Sequence, residues 1–141
     1  MINDRQRHLI DLAREGRHRV DAPPTARGWA SGSGEIHSCG DRVTLHLRIG
    51  ENRVEAAEYE GVGCSLALAA SELVCAAVSG VSRAFALTAL EDWSRYLAGG
   101  DGEPESLEVL EPLSLVRDYP ARRSCVLLPL GCAVEALRRD N

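Results

Sequence analysis

Residues 39–71 read CGDRVTLHLRIGENRVEAAEYEGVGCSLALAAS, and the period of their apolar side chains changes partway through. Val43, Leu45, Leu47 and Ile49 alternate with Thr44, His46 and Arg48, the period of two expected of a half-buried strand. Gly50-Glu51-Asn52 is a turn, and residues 53–60 return as a weaker second strand, which makes an antiparallel hairpin. After Gly61-Val62-Gly63 the pattern becomes helical. Ser65 to Ser79 is rich in Ala and Leu with Glu72 as its only charge, as expected of a buried helix, and Gly80 is its stop. Two strands alone are rarely stable, so a third strand at about 34–38 is expected to complete a small sheet.

Upstream, residues 3–15 form an amphipathic helix with Leu9, Leu12 and Ala13 on one side and Gly16 as its end. Residues 21–34, DAPPTARGWASGSG, read as a turn-rich linker without an apolar period. Residues 1–34 are therefore expected to be an N-terminal helix plus a linker free to move. Downstream, a helix over about 82–98 would place Phe85, Ala89, Trp93 and Leu97 on one face, ended by Gly99-Gly100. Residues 101–104 are a loop, Pro104 suits the first turn of a short helix, and Pro112 breaks that segment. The last element runs from about 121 to 139 and is interrupted at Pro129. This order, helix, sheet, then helices, implies one α+β domain over residues 1–141, a small three-stranded antiparallel sheet with helices packed on one face.

Composition excludes several function classes. The net charge of −5 argues against nucleic acid as the main partner. The chain has no lysine, so Schiff-base chemistry, a pyridoxal-phosphate lysine and a P-loop lysine are out. No apolar run approaches a membrane span, and the first 20 residues are too polar for a signal peptide. A cytoplasmic location follows as the expectation, and there clustered cysteines more often serve metal or redox chemistry than disulfides. Charge is uneven. Residues 1–30 hold six Arg against four acids, and residues 91–118 hold eight acids against Arg95 and Arg117. Both are accounted for by a solvated surface; the functional alternative is two docking surfaces.

The five cysteines are Cys39, Cys64, Cys75, Cys125 and Cys132, with no CxxC pair. Cys39 lies at the turn into the first hairpin strand and Cys64 at the start of the buried helix. The hairpin therefore brings Cys39, Asp41 and Cys64 together. The helix N-terminus favours a thiolate at Cys64. Cys75 and Cys132 read as core packing. On spacing alone, burial in the core accounts for Cys39, Cys64 and Cys125 as well as a shared site does. His37 is a candidate substitute ligand, although an exposed strand-end side chain is the favoured reading; His46 on the polar strand face reads as featureless.

The same stretch resembles the SufU/IscU family, which is related to the N-terminal domain of NifU. The carrying motifs are Cys39-Gly40-Asp41, the hairpin, Cys64 after Gly-Val-Gly, and Cys125 in Tyr119-Pro120-Ala121-Arg122-Arg123-Ser124-Cys125, which is similar to the Pro-x-Arg-x-x-Cys segment of SufU proteins. The acidic stretch around 82–104 resembles the extra segment that separates SufU from IscU. The resemblance implies the corresponding fold and a metal site of Cys39, Asp41, Cys64 and Cys125. In the SufU type it holds zinc and accepts sulfur from a SufS-like cysteine desulfurase, a zinc-dependent sulfurtransferase activity. In the IscU type it builds a [2Fe–2S] cluster and hands it to iron–sulfur acceptor proteins. Cys39 is the first choice as sulfur acceptor, Cys125 the second, and Arg122 a supporting residue. A third alternative is a zinc protein acting only in interaction or regulation.

Overall fold

A computed structural model describes residues 3–139. In chain order the elements are α1 (Asp4–Glu15), β1 (Trp29–Ile36), β2 (Asp41–Gly50), β3 (Arg53–Val62), α2 (Ser65–Val78), α3 (Arg83–Leu97), 3-10 turns over Glu108–Asp118 and Pro120–Arg122, and α4 (Arg123–Arg138). The three strands are antiparallel in the order β1-β2-β3. The expected α+β architecture is the observed one.

Local chemistry explains the hairpin and the first helix. Glu51 and Asn52 both have positive φ, 52° and 62°, the conformation that a two-residue hairpin turn requires to match strand twist. At α1, Asn3 accepts the Gln6 N–H at 2.8 Å and the Gln6 side chain accepts the Asn3 N–H at 2.9 Å, a reciprocal cap. Val43, Leu45, Leu47, Val54, Ala57 and Tyr59 point into the core. α2 and α4 cover that face of the sheet, with α1 against α2 and α3 against α4.

Several expectations need correction. β1 occupies residues 29–36 rather than about 34–38, so most of the Ser-Gly stretch is strand and not linker. Its glycines face α4. A Cβ at Gly32 would stand 1.9 Å from the carbonyl oxygen of Cys132, and one at Gly34 would stand 2.8 Å from Leu128 Cδ1. Glycine at alternate positions is how this strand admits a helix backbone, and it leaves no apolar signal to read. Residues 18–20 are also paired. Val20 N–H donates to Tyr59 O at 2.8 Å and Tyr59 N–H to His18 O at 2.9 Å, covering the outer edge of β3. Glu72, the lone charge of α2, is buried and accepts from the His18 backbone N–H and pairs with its Nδ1 at 2.7 Å, which satisfies the carboxylate.

His46 is not featureless. It is 3% exposed and spans all three strands, with Nδ1 2.6 Å from Ser31 Oγ and Nε2 2.6 Å from Glu60 Oε2. Phe85 is exposed; the buried face of α3 is Ala86, Ala89, Leu90, Trp93 and Leu97. Pro104 lies in a loop, and Pro112 sits inside the 3-10 segment without breaking it. α4 runs through Pro129 uninterrupted. The cost of an interior proline, about 3 kcal/mol for the missing donor and the ring clash together, is offset by burial of Val126, Pro129, Leu130 and Ala133.

Candidate metal centre

Three elements converge at one end of the sheet. Asp41 opens β2 and is 1% exposed. Gly40, at φ 75°, turns the chain so that Cys39 sits in the exposed loop just before it. Pairing of Arg42 with Val62 sets Asp41 beside Gly63 and Cys64. Cys64 is the N-cap of α2, and its sulfur accepts the Ala67 N–H at 3.4 Å. The first turn of α4 delivers Cys125, which is buried.

The thiols close on the Asp41 carboxylate. Ligand atoms of Cys39, Asp41 and Cys125 all lie within 4.8 Å of one another. Cys64 Sγ is 3.5 Å from Asp41 Oδ2, and the Cys64 N–H donates to Oδ1 at 2.9 Å. Burial works to raise the Asp41 pKa. The Cys64 N–H and the three surrounding thiols outweigh it and hold the carboxyl below its ordinary value. Burial, then the neighbouring Cys64 and Asp41, push the Cys125 thiol up to about 12. The site thus pairs a firmly ionised carboxylate with a thiol that keeps its proton until something positive replaces it.

The other candidates fall elsewhere. Cys75 is fully buried in α2, and Cys132 is buried with its sulfur 3.6 Å from Val43 O. Burial raises both thiols, Cys132 to about 12. His37 is exposed, 3.4 Å from Glu35, and outside the group of Cys39, Asp41 and Cys125. Arg122 is exposed at the mouth of a cavity of about 630 Å³ shared with Cys64, Leu9, Ile10, Leu66 and Tyr119. Its neighbour Arg123 is structural, donating to the carbonyls of Val116, Ala98 and Arg117. A larger concavity, about 700 Å³, lies on the helix-free face of the sheet around Thr44 and Glu60 and holds no cysteine.

Sequence reasoning missed Gly63. A Cβ there would stand 2.6 Å from Asp41 Oδ1, yet its φ is outside the glycine-favouring region, so only the packed fold exposes the requirement. Val62 and Tyr119, two of the few exposed large apolar side chains, were also not singled out; Val62 precedes Gly63 at the end of β3, and Tyr119 lines the cavity with Arg122.

The family profile described as NifU-like N terminal domain matches residues 6–109. The chain is 31% identical over 108 residues to the iron–sulfur cluster assembly scaffold protein IscU of Thermotoga maritima, covering 75% of each. It is 31% identical over 93 residues to the zinc-dependent sulfurtransferase SufU of Bacillus subtilis, covering 64% of this chain and 63% of that one. Among solved structures, the SUF-system scaffold protein of Fervidobacterium islandicum AW-1 superposes with a TM-score of 0.77 at 22% identity, covering 93% and 94% of the two chains. The N-terminal NifU-like protein of Brucella abortus gives 0.77 at 23% identity, covering 96% and 91%. At that identity the structures speak for the fold, and they extend the likeness past residue 109 to the helix that carries Cys125. With most of its length matched by one profile, and with these relatives, the chain belongs to the family of NifU-like N-terminal domains.

Proposed function

We propose that this protein serves iron–sulfur cluster assembly in the cytoplasm, with Cys39, Asp41, Cys64 and Cys125 forming a zinc site that accepts sulfur from a cysteine desulfurase. The observation that carries this reading is the convergence of three thiols from separate elements on one buried carboxylate. Three sulfurs and one oxygen suit a closed tetrahedral zinc site, and bound zinc would keep the thiols deprotonated at neutral pH.

The side chains divide the work. Cys64 is fixed by its N-cap bond and Cys125 is buried, whereas Cys39 is exposed on the loop before Gly40. Cys39 is therefore the acceptor, with Cys125 as the second choice. Its thiolate attacks the outer sulfur of a cysteine persulfide on the partner. The partner's S–S bond breaks, its cysteine leaves as thiolate, and Cys39 carries the persulfide; no external oxidant is needed. Arg122, with no side-chain partner among the described residues, stands where an incoming anionic sulfur or a partner carboxylate would be met.

The second reading is a scaffold that assembles a [2Fe–2S] cluster on the same residues; the likeness to the IscU of Thermotoga maritima favours it. One experiment separates them. Stoichiometric zinc in anaerobically purified protein, with faster turnover of a purified cysteine desulfurase, supports sulfur acceptance. A cluster chromophore after reconstitution, without faster turnover, supports the scaffold. Zinc without either outcome leaves the interaction-only alternative, and absence of bound metal refutes the shared site.

A further inference from the structure

The Asp41 carboxylate is constrained more tightly than a ligand among three cysteines requires. Oδ1 accepts the Cys64 N–H at 2.9 Å, and Oδ2 faces the Cys64 sulfur at 3.5 Å. The side chain occupies the space that a Cβ at Gly63 would take. A Cβ at that position would meet Oδ1 at 2.6 Å, Cγ at 2.9 Å and Cβ of Asp41 at 3.2 Å. Asp41 is 1% exposed, so its carboxylate has no open solvent to swing into. Gly63 is not needed for its backbone, because it is absent from the glycines with positive φ. The space above its Cα is the feature that only glycine supplies.

We propose that the Gly63–Cys64 peptide splits the Asp41 carboxylate between two tasks. Oδ1 is retained by the Cys64 N–H and ties the start of β2 to the start of α2. Oδ2 alone is offered to a metal held with the thiols, and Gly63 is the positioning residue that permits this orientation. The inference rests on the metal-site reading above and assigns the role of each oxygen within it. A backbone N–H on one oxygen orients a ligand as outer-shell partners generally do, and loss of such a partner weakens metal binding about 10–100-fold.

Asp41→Asn separates the two oxygens. Its amide oxygen can still accept the Cys64 N–H, which turns the NH2 group, a poor ligand, toward the thiols. The test compares wild type, Asp41→Asn, Asp41→Ala, Gly63→Ala and the Gly63→Ala/Asp41→Ala double variant. Two quantities are read: the zinc dissociation constant, by competition with a chromophoric chelator, and the melting temperature of the zinc-free protein. Zinc-free Asp41→Asn should melt within about 2 °C of wild type while binding zinc at least about tenfold more weakly. Asp41→Ala should lose both zinc affinity and melting temperature. Gly63→Ala should weaken zinc binding about 10–100-fold when Asp41 is present. In the Asp41→Ala background it should weaken binding less than about twofold, because the cycle removes Oδ1 and Cγ, the two atoms met inside 3.0 Å, and leaves only the Cβ contact at 3.2 Å. A role for Gly63 in the fold alone would give equal effects in both backgrounds. Failure of wild type to bind zinc sinks the metal-site reading itself. Wild-type binding with Asp41→Asn unimpaired, or with the Gly63→Ala effect undiminished in the Asp41→Ala background, overturns the division of the carboxylate.

Discussion

Gly32→Ala should unseat α4 from the sheet. The added Cβ would lie 1.9 Å from the carbonyl oxygen and 2.9 Å from the carbonyl carbon of Cys132, and 3.0 Å from Glu135 Cβ. Two of these atoms are helix backbone, so no rotamer change relieves the contact. Restoring ordinary separation requires moving the helix off β1 by roughly 1.5 Å, enough to forfeit more than about half of the dispersion attraction across that seam. The α4 side chains on that seam include Leu128 over Gly34 and the buried Cys132, whose sulfur lies 3.6 Å from Val43 O. Overpacking typically costs about 1–3 kcal/mol, and a clash with backbone belongs at or above the top of that range. At roughly 3 °C per kcal/mol for a chain of this size, melting should fall by about 10 °C. Because α4 carries Cys125, zinc affinity should fall as well, although Gly32 touches no ligand. The assay is thermal unfolding by circular dichroism with and without zinc. A variant melting within about 2 °C of wild type would show that β1 does not lie against α4 in solution.

The same helix offers a substitution of opposite sign. Gly131 is exposed within α4 and a Cβ there meets nothing within 4 Å, so Gly131→Ala should stabilise by about 0.5–1 kcal/mol in urea unfolding. Buried thiols set an alkaline limit. Cys75, Cys125 and Cys132 are all raised above the ordinary thiol value of 9.0, so above pH 9 the unfolded chain loses protons that the folded chain keeps. Zinc-free stability should therefore fall from pH 9 toward 12, by up to about 1.4 kcal/mol per pH unit for each thiol; constant stability between pH 8 and 10 would contradict it. The lowered Asp41 pKa acts at the other end, its contribution being present above pH 3.8 and lost as the pH falls through the folded value. Zinc binding at pH 7 should release the Cys125 proton, read by calorimetry in buffers of different ionisation enthalpy. Cys75→Ala should leave zinc stoichiometry unchanged by metal analysis, while Cys64→Ala should lose the metal.

What was legible in the sequence was local. The change from a two-residue to a helical period located β2, β3 and α2, and the hairpin between them made Asp41 and Cys64 neighbours without any knowledge of the rest. Cys125 is different: spacing left it as plausible in the core as in the site, and its place in the sequence reading came from the family resemblance. Its position beside Asp41 depends on where α4 lies across the sheet. That in turn depends on Gly32 and Gly34, whose contribution is an absence of side chain that no hydrophobic pattern records. For the same reason most of β1 read as linker, and Gly63 carried no signal beyond its place before Cys64 although it makes room for the carboxylate. His46 read as featureless because burial on the polar face follows from Ser31 and Glu60 on the two neighbouring strands, not from its own neighbours in sequence. The sequence by itself determined the hairpin, the capped helix and the pairing of Asp41 with Cys64, since these arise from contacts a few residues to a hairpin apart. Only the tertiary structure decided that Cys125 lies beside them and that Gly63 leaves room for the carboxylate, because both rest on close approach between elements far apart in the chain.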